Sequence, residues 1–357
     1  MKITKLIKLS KNHFLSSLAE FFYLKTNLDL TRPSVIYGII TNRCNSKCLY
    51  CHYWRISDHS DEMTIEQWQN AALSLKKFVG DFSINFSGGE PFLKPGFFDL
   101  LSFLKNRGIK AGVTTNGSML LTEDLAEKFT LTEPFNLNIS CESIDPAIHD
   151  YIRAWPGLHE KLMATASQVT KAKRKLKIDF PLIMKVTINA LNFRQIIGQV
   201  GWAEKNGFTG ISFQPIAAWT EEAKKLEIEK KDYEELTAVI NQLIKMKRAG
   251  APILNSESNL KMFTPYFKKQ AVPENILPCK VGLKNFFIYP NGDIHLCTSM
   301  PPVGNIKTDS AKKIWYGPEA KLRRRQTINC RKFCASVCST NKSILEKVKT
   351  ALKLFRK

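Results

Sequence analysis

From residue 34 to about residue 250 the chain repeats one pattern six times, a short apolar or alternating run followed by a stretch with helical spacing. The runs lie at 34–41, 81–87, 110–115, 135–141, 178–188 and 210–214, and the helical stretches near 64–78, 97–107, 122–129, 159–173, 193–206 and 231–247. Six strand–helix units in succession require parallel strands with right-handed crossovers, so the fold class is α/β, as a doubly wound sheet or an incomplete barrel. The strand residues choose between the two. Ser83, Asn85 and Ser87 alternate with Phe82, Ile84 and Phe86, and Asn138, Ser140 and Glu142 alternate with Leu137, Ile139 and Cys141. Lys185, Thr187 and Asn189 alternate with Met184, Val186 and Ile188 in the same way. Strands buried on both faces read as continuous apolar runs. A polar face is expected where strands surround a cavity and helices cover only the outside. The expected architecture is a partial (β/α)6, TIM-like barrel with a polar lumen.

Beyond residue 262 the rhythm changes. FFIYPNGDIHLC reads as a hairpin turning at Asn291-Gly292, because this pair adopts positive φ at little cost. The expected division is a basic amphipathic extension over 1–33, the barrel over 34–250, a cysteine-rich module over 251–340 and a basic helix over 341–357. No apolar run approaches the roughly 20 residues that cross a bilayer, and the first residues lack a signal-peptide core, which reads as a cytoplasmic protein. The net charge of +21 is unevenly spread, with 12 Lys or Arg against one acid from Lys321 to Lys357. That excess favours an anionic partner, and the amphipathic basic ends suggest peripheral contact with an anionic membrane surface.

Nine cysteines without an export signal argue against a disulfide scaffold. Three lie at Cys44, Cys48 and Cys51, directly after the first strand, and five at Cys279, Cys297, Cys330, Cys334 and Cys338. Thiolates suit iron–sulfur clusters or zinc. Three of them on a four-iron cubane leave one iron open to a ligand, as reactive sites require. Zinc is the competing reading; it needs a fourth ligand, and His52 stands beside Cys51. Cys141 falls on the apolar side of its strand and reads as a small core hydrophobe.

Cys44-Asn-Ser-Lys-Cys48-Leu-Tyr-Cys51 is similar to the CxxxCxxC signature of the radical S-adenosylmethionine (SAM) superfamily, at the position where that family carries it. Gly88-Gly89-Glu90-Pro91, closing the second strand, resembles the family's GGEP turn. The resemblance implies a SAM-binding [4Fe–4S] cluster on Cys44, Cys48 and Cys51. It also implies SAM contacts from Gly88, Gly89, Glu90, Asn116, Ser140, Glu142 and Arg153. The implied chemistry is reductive cleavage of SAM to a 5′-deoxyadenosyl radical that takes hydrogen from a peptide or small metabolite. An electron donor such as flavodoxin or ferredoxin is implied as well.

The spacing Cys279–Gly292–Cys297 resembles the start of the SPASM or twitch extension found in one branch of that superfamily. By this resemblance Cys279, Cys297 and two or more of Cys330, Cys334 and Cys338 hold an auxiliary [4Fe–4S] cluster, with one cluster fitting the cysteine count better than two. The rival class is a non-catalytic zinc or iron–sulfur regulatory protein that binds nucleic acid or another anionic partner through its basic tail.

Overall fold

The computed structural model describes residues 16, 18–270, 278–332 and 334. Six parallel strands follow one another in sequence order: β1 (Val35–Thr41), β2 (Ser83–Gly88), β3 (Lys110–Thr115), β4 (Asn136–Ser140), β5 (Leu182–Ile188) and β6 (Gly210–Pro215). A doubly wound sheet reverses its strand order at a switch point, whereas here each strand pairs with the next. The order is that of an α/β barrel left open, with β1 and β6 unpaired to each other.

The alternation seen in the sequence is the partition between two environments. Ile84, Phe86, Val113, Leu137, Ile139, Met184, Val186 and Phe213 are buried under the helices and form one continuous core. Asn85, Gly112 and Asn136 stand side by side in register on the other face. A Cβ on Gly112 would come within 2.3 Å of the Asn85 amide oxygen and 2.4 Å of that of Asn136, so glycine here lets the two amides close over the strand.

Helix Ile65–Val79 shows why the outer layer forms where it does. Thr64 accepts the Gln67 N–H, Gln67 reaches back to the Thr64 N–H, and Trp68, Ala71, Ala72, Leu75 and Phe78 bury one face. Gly80 ends the helix at φ 78°. Helix Pro146–Arg153 was not expected from the pattern, nor were the short helices Glu221–Lys224, Glu257–Lys261 and Phe263–Phe267. Eight residues are too few for a clear period, but Asp145 caps the first of these and Pro146 opens it.

The hairpin is present as β7 (Asn285–Ile288) and β8 (Asp293–His295), turning through Gly292 at φ 88°. Its placement was not foreseen. β7 pairs in parallel with β1, so β7, β8 and β9 (Gly304–Asn305) extend the barrel sheet to nine strands. Two helices follow, Ala311–Tyr316 and Pro318–Ile328. Among the described residues no helix is long and apolar enough to cross a membrane. The basic stretches 1–15 and 341–357 and Cys338 lie outside the described residues.

Candidate active site

The loop from Asn42 to Arg55 contains no regular element except a single 3-10 turn at Tyr53–Arg55. Its shape is imposed from outside. The N–H groups of Gly89 and Glu90 donate to the carbonyls of Thr41 and Arg43, both at 2.8 Å. Glu62 accepts from the Asn42 N–H at 2.8 Å and the Thr41 hydroxyl at 2.9 Å, with Lys94 paired to its other oxygen. The Asn116 side-chain amide donates to Asn45 Oδ1 at 2.8 Å, and the Asn45 side-chain amide donates to Ser118 Oγ at 3.0 Å. The Ser46 hydroxyl donates to the Arg153 carbonyl, Leu49 N–H to the Ile152 carbonyl, and Thr220 to the Leu49 carbonyl. The ends of β2, β3 and helix Pro146–Arg153, together with the segment after β6, therefore fix one loop.

The two glycines are explained by this contact. Gly88 has φ 138°, and a Cβ there would lie 2.4 Å from the Thr41 carbonyl oxygen. A Cβ on Gly89 would lie 2.0 Å from the Arg43 carbonyl oxygen. Both obstacles are backbone and cannot rotate aside. Gly89→Ala is expected to destabilise the protein by ~3 kcal/mol or more and to release iron, read as a lower thermal midpoint and fewer irons per chain.

Glu90 does not point into the lumen. It is fully buried and accepts from Thr115 Oγ1, the Asn116 N–H and the Phe92 N–H, which joins the ends of β2 and β3. Burial pushes its carboxyl up to about 7 against those donations. The Asn116 side chain carries the contact onward to Asn45. Ser140 is half-buried at the end of β4, in register with Lys185.

Glu142 and Arg153 form a buried ion pair. Glu142 also accepts the Tyr50 hydroxyl at 2.6 Å and the Thr187 N–H at 2.9 Å. Its backbone is held by His149, Asn192 and Gln199. None of these three was singled out in the sequence as part of the site; only the topology brings them together. Arg153 reaches the Cys48 sulfur at 3.5 Å. Burial works against its charge, but Tyr50, Cys48 and Glu142 raise its pKa well above the guanidinium range.

Cys48 is 4% exposed and Cys44 and Cys51 are half-buried. Burial pushes the Cys44 thiol up to about 12, with Cys48, Glu90 and Cys51 adding to it, and raises Cys51 for the same leading reason. Each of these sulfurs opposes the ionisation of the others, and a cation sharing the site would relieve that opposition. That donor set fits a cluster bound through three thiolates. His52, the zinc reading's fourth ligand, instead has its ring against Tyr53 at 4.6 Å and Trp219 at 5.4 Å. Among the described residues no three His, Cys, Asp or Glu side chains converge as on a single metal ion.

Cys279, Cys297, Cys330 and Cys334 lie near enough to influence one another's ionisation, although the last two lie far along the chain. Burial pushes Cys279 up to about 11, and the other three add to the shift. Burial raises the Tyr53 phenol, with Tyr289 and Cys51 adding to it, and raises Tyr289, with Cys297 adding to it. Cys141 is fully buried in the core and donates to the Ser143 carbonyl.

Residues 39–191 match the radical SAM superfamily, and residues 279–339 match an iron–sulfur cluster-binding domain of SPASM type, a stretch that includes all five C-terminal cysteines. The AdoMet-dependent heme synthase of Methanosarcina barkeri is 22% identical over 87% of this chain and 89% of its own. The subtilosin biosynthesis protein AlbA of Bacillus subtilis is 24% identical over 78% of this chain, which spans 58% of that protein. The fold is shared with Streptococcus suis SuiB bound to S-adenosylmethionine, with TM-score 0.67, 18% identity, and coverage of 86% of this chain and 71% of that one. An open barrel with a three-cysteine loop on its first strand, followed by a cysteine-bearing hairpin, thus has a family: the chain is a radical SAM enzyme with a SPASM-type iron–sulfur module.

Proposed function

We propose that Cys44, Cys48 and Cys51 hold the SAM-cleaving [4Fe–4S] cluster and that the enzyme modifies a peptide. The observation that carries the reading is the three-cysteine loop, held from outside by several strand and helix ends. Bound there, the cluster supplies one-electron reduction of SAM, the source of a 5′-deoxyadenosyl radical that takes hydrogen from substrate. The chain's own part is placement and exclusion of water. Gly88 and Gly89 bring backbone close to the loop, and Glu90 and Asn116 lock the adjoining strand ends. Arg153, oriented by Glu142 and Tyr50, sets a positive charge against Cys48, where an anionic sulfur or the SAM carboxylate is stabilised. His52, Tyr53 and Trp54 cover the approach to the sulfurs.

Peptide modification is supported by the likeness to AlbA and to SuiB, the latter also solved with its precursor peptide SuiA. The lumen offers polar side chains along its strands, including Lys185, Ser212, Thr187 and Gln214, which suit a backbone-rich substrate. Cys279, Cys297, Cys330 and Cys334 are proposed to hold one auxiliary cluster, with a flavodoxin- or ferredoxin-type donor reducing the SAM-binding one. A zinc-stabilised regulator would have no use for the clamped turn or the polar lumen. Anaerobic reconstitution tests the assignment: about eight irons per chain and release of 5′-deoxyadenosine are expected. Alanine at Cys279 and Cys297 together is expected to halve the iron yet spare SAM cleavage. Bound zinc with no nucleoside release would overturn it.

A further inference from the structure

The segment before β1 presents an apolar strip outward and turns its acids inward. Over residues 18–26 the chain is helical, and Leu18, Phe21, Phe22 and Lys25 recur at the spacing of one helix face. Phe21 is 55% and Phe22 42% exposed, and beyond the helix Leu28 and Leu30 are 55% and 53% exposed. The opposite face is anchored. Tyr23 and Glu20 are buried, and Glu20 is paired with both Lys280 and Lys284. Asp29 is paired with Arg324, and the Thr31 carbonyl accepts from Trp315 and Tyr316. These apolar residues are therefore held on a fixed platform.

Both carboxylates of the segment are consumed in those inward ion pairs, so its outward helix face carries only the cation Lys25. The adjoining helix Pro318–Ile328, joined to it through Arg324, exposes Lys321 and Arg325, and Arg331 and Lys332 follow, also exposed. Among the described residues none of these five cations makes an ion pair. A second copy of this chain would bring the same positive surface. The chain's own ends are no better matched: residues 1–15 hold four lysines and no acid, and 341–357 hold six Lys or Arg against one Glu.

We propose that this face docks on an anionic lipid bilayer, with Phe21, Phe22, Leu28 and Leu30 entering the headgroup–acyl boundary and the surrounding cations meeting lipid phosphates. The occupant is assigned by charge. An array of exposed Phe and Leu rimmed by Lys and Arg, with Glu20 and Asp29 paired inward and Glu319 of the adjoining helix paired with Arg323, complements a surface that is both apolar at shallow depth and negative.

The test is co-sedimentation of the full-length protein with vesicles of phosphatidylcholine alone or with about one third phosphatidylglycerol. Recovery with the anionic vesicles, little with the neutral ones, and a loss on adding salt are expected. The exposed double variant F21S/F22S is expected to lower apparent affinity about tenfold or more with an unchanged thermal midpoint, and K321E/R325E to lower it as well. Equal recovery of wild type and variants, or no recovery of wild type, overturns the proposal. So does a dimer, seen by sedimentation velocity without lipid, that F21S/F22S dissolves, since a second copy would then be the occupant.

Discussion

Replacing Cys44, Cys48 or Cys51 singly with alanine abolishes release of 5′-deoxyadenosine while leaving the barrel folded. The loop that carries these sulfurs is positioned by hydrogen bonds to its backbone and to Asn45, Ser46 and Tyr50, which alanine at a cysteine retains. Of the three sulfurs, Cys48 alone also meets Ser46 Oγ, at 3.1 Å, and Arg153, at 3.5 Å, among the described residues. Losing one thiol removes a ligand, and at Cys48 the sulfur's contacts with Ser46 and Arg153, but leaves the backbone clamps in place. Even at Cys48, the most buried of the three, the small side chain leaves a cavity costing ~1 kcal/mol, too little to unfold the domain. Iron is expected to fall to the share of the auxiliary centre, and nucleoside release to the no-enzyme background, both measured on anaerobically reconstituted protein. A variant that cleaves SAM at the wild-type rate removes the assignment of this loop.

Glu142→Ala gives the second large effect, this time on stability. The carboxylate is fully buried, and its removal strands the Arg153 guanidinium, whose Nε already lacks a partner. Breaking a buried pair from one side costs ~3–5 kcal/mol because the remaining charge is uncompensated. The Tyr50 hydroxyl and the Thr187 N–H lose their acceptor at the same time. Chemical denaturation of the apoprotein checks the size. The double variant E142A/R153M is expected to be more stable than E142A alone, since no buried charge is left over. Equal stability of the two would show that Arg153 does not depend on Glu142. SAM affinity is expected to drop in both, because each lacks the oriented cation beside Cys48.

The order of the strands, their polar and apolar faces and the places of both cysteine groups were legible because each is written in local spacing. A period of two tells a half-polar strand from a helix, and CNSKCLYC and GGEP carry their chemistry within a few residues. The hairpin at Asn291-Gly292 was equally local, its turn set by residues that tolerate positive φ. Helix Pro146–Arg153 was missed because eight residues give little periodicity.

What the tertiary structure decided is which side chains meet across long separations. Glu90 belongs to the turn whose backbone the motif places at SAM; where its carboxylate goes was decided by Thr115 and Asn116, since a buried acid goes where donors satisfy it. His149, Asn192 and Gln199 converge on Glu142 from two helices and a loop, and no spacing in the chain announces it. The pairing of β7 with β1 joins strands 250 residues apart in position, Val35 against Asn285, and brings the second cysteine group toward the first. Local sequence fixes the period, the turn and the ligand type through short-range sterics and hydrogen bonds. Which polar groups satisfy one another in the buried interior depends on the packing of the whole chain, because only there is each unpaired donor or charge costly enough to select its partner.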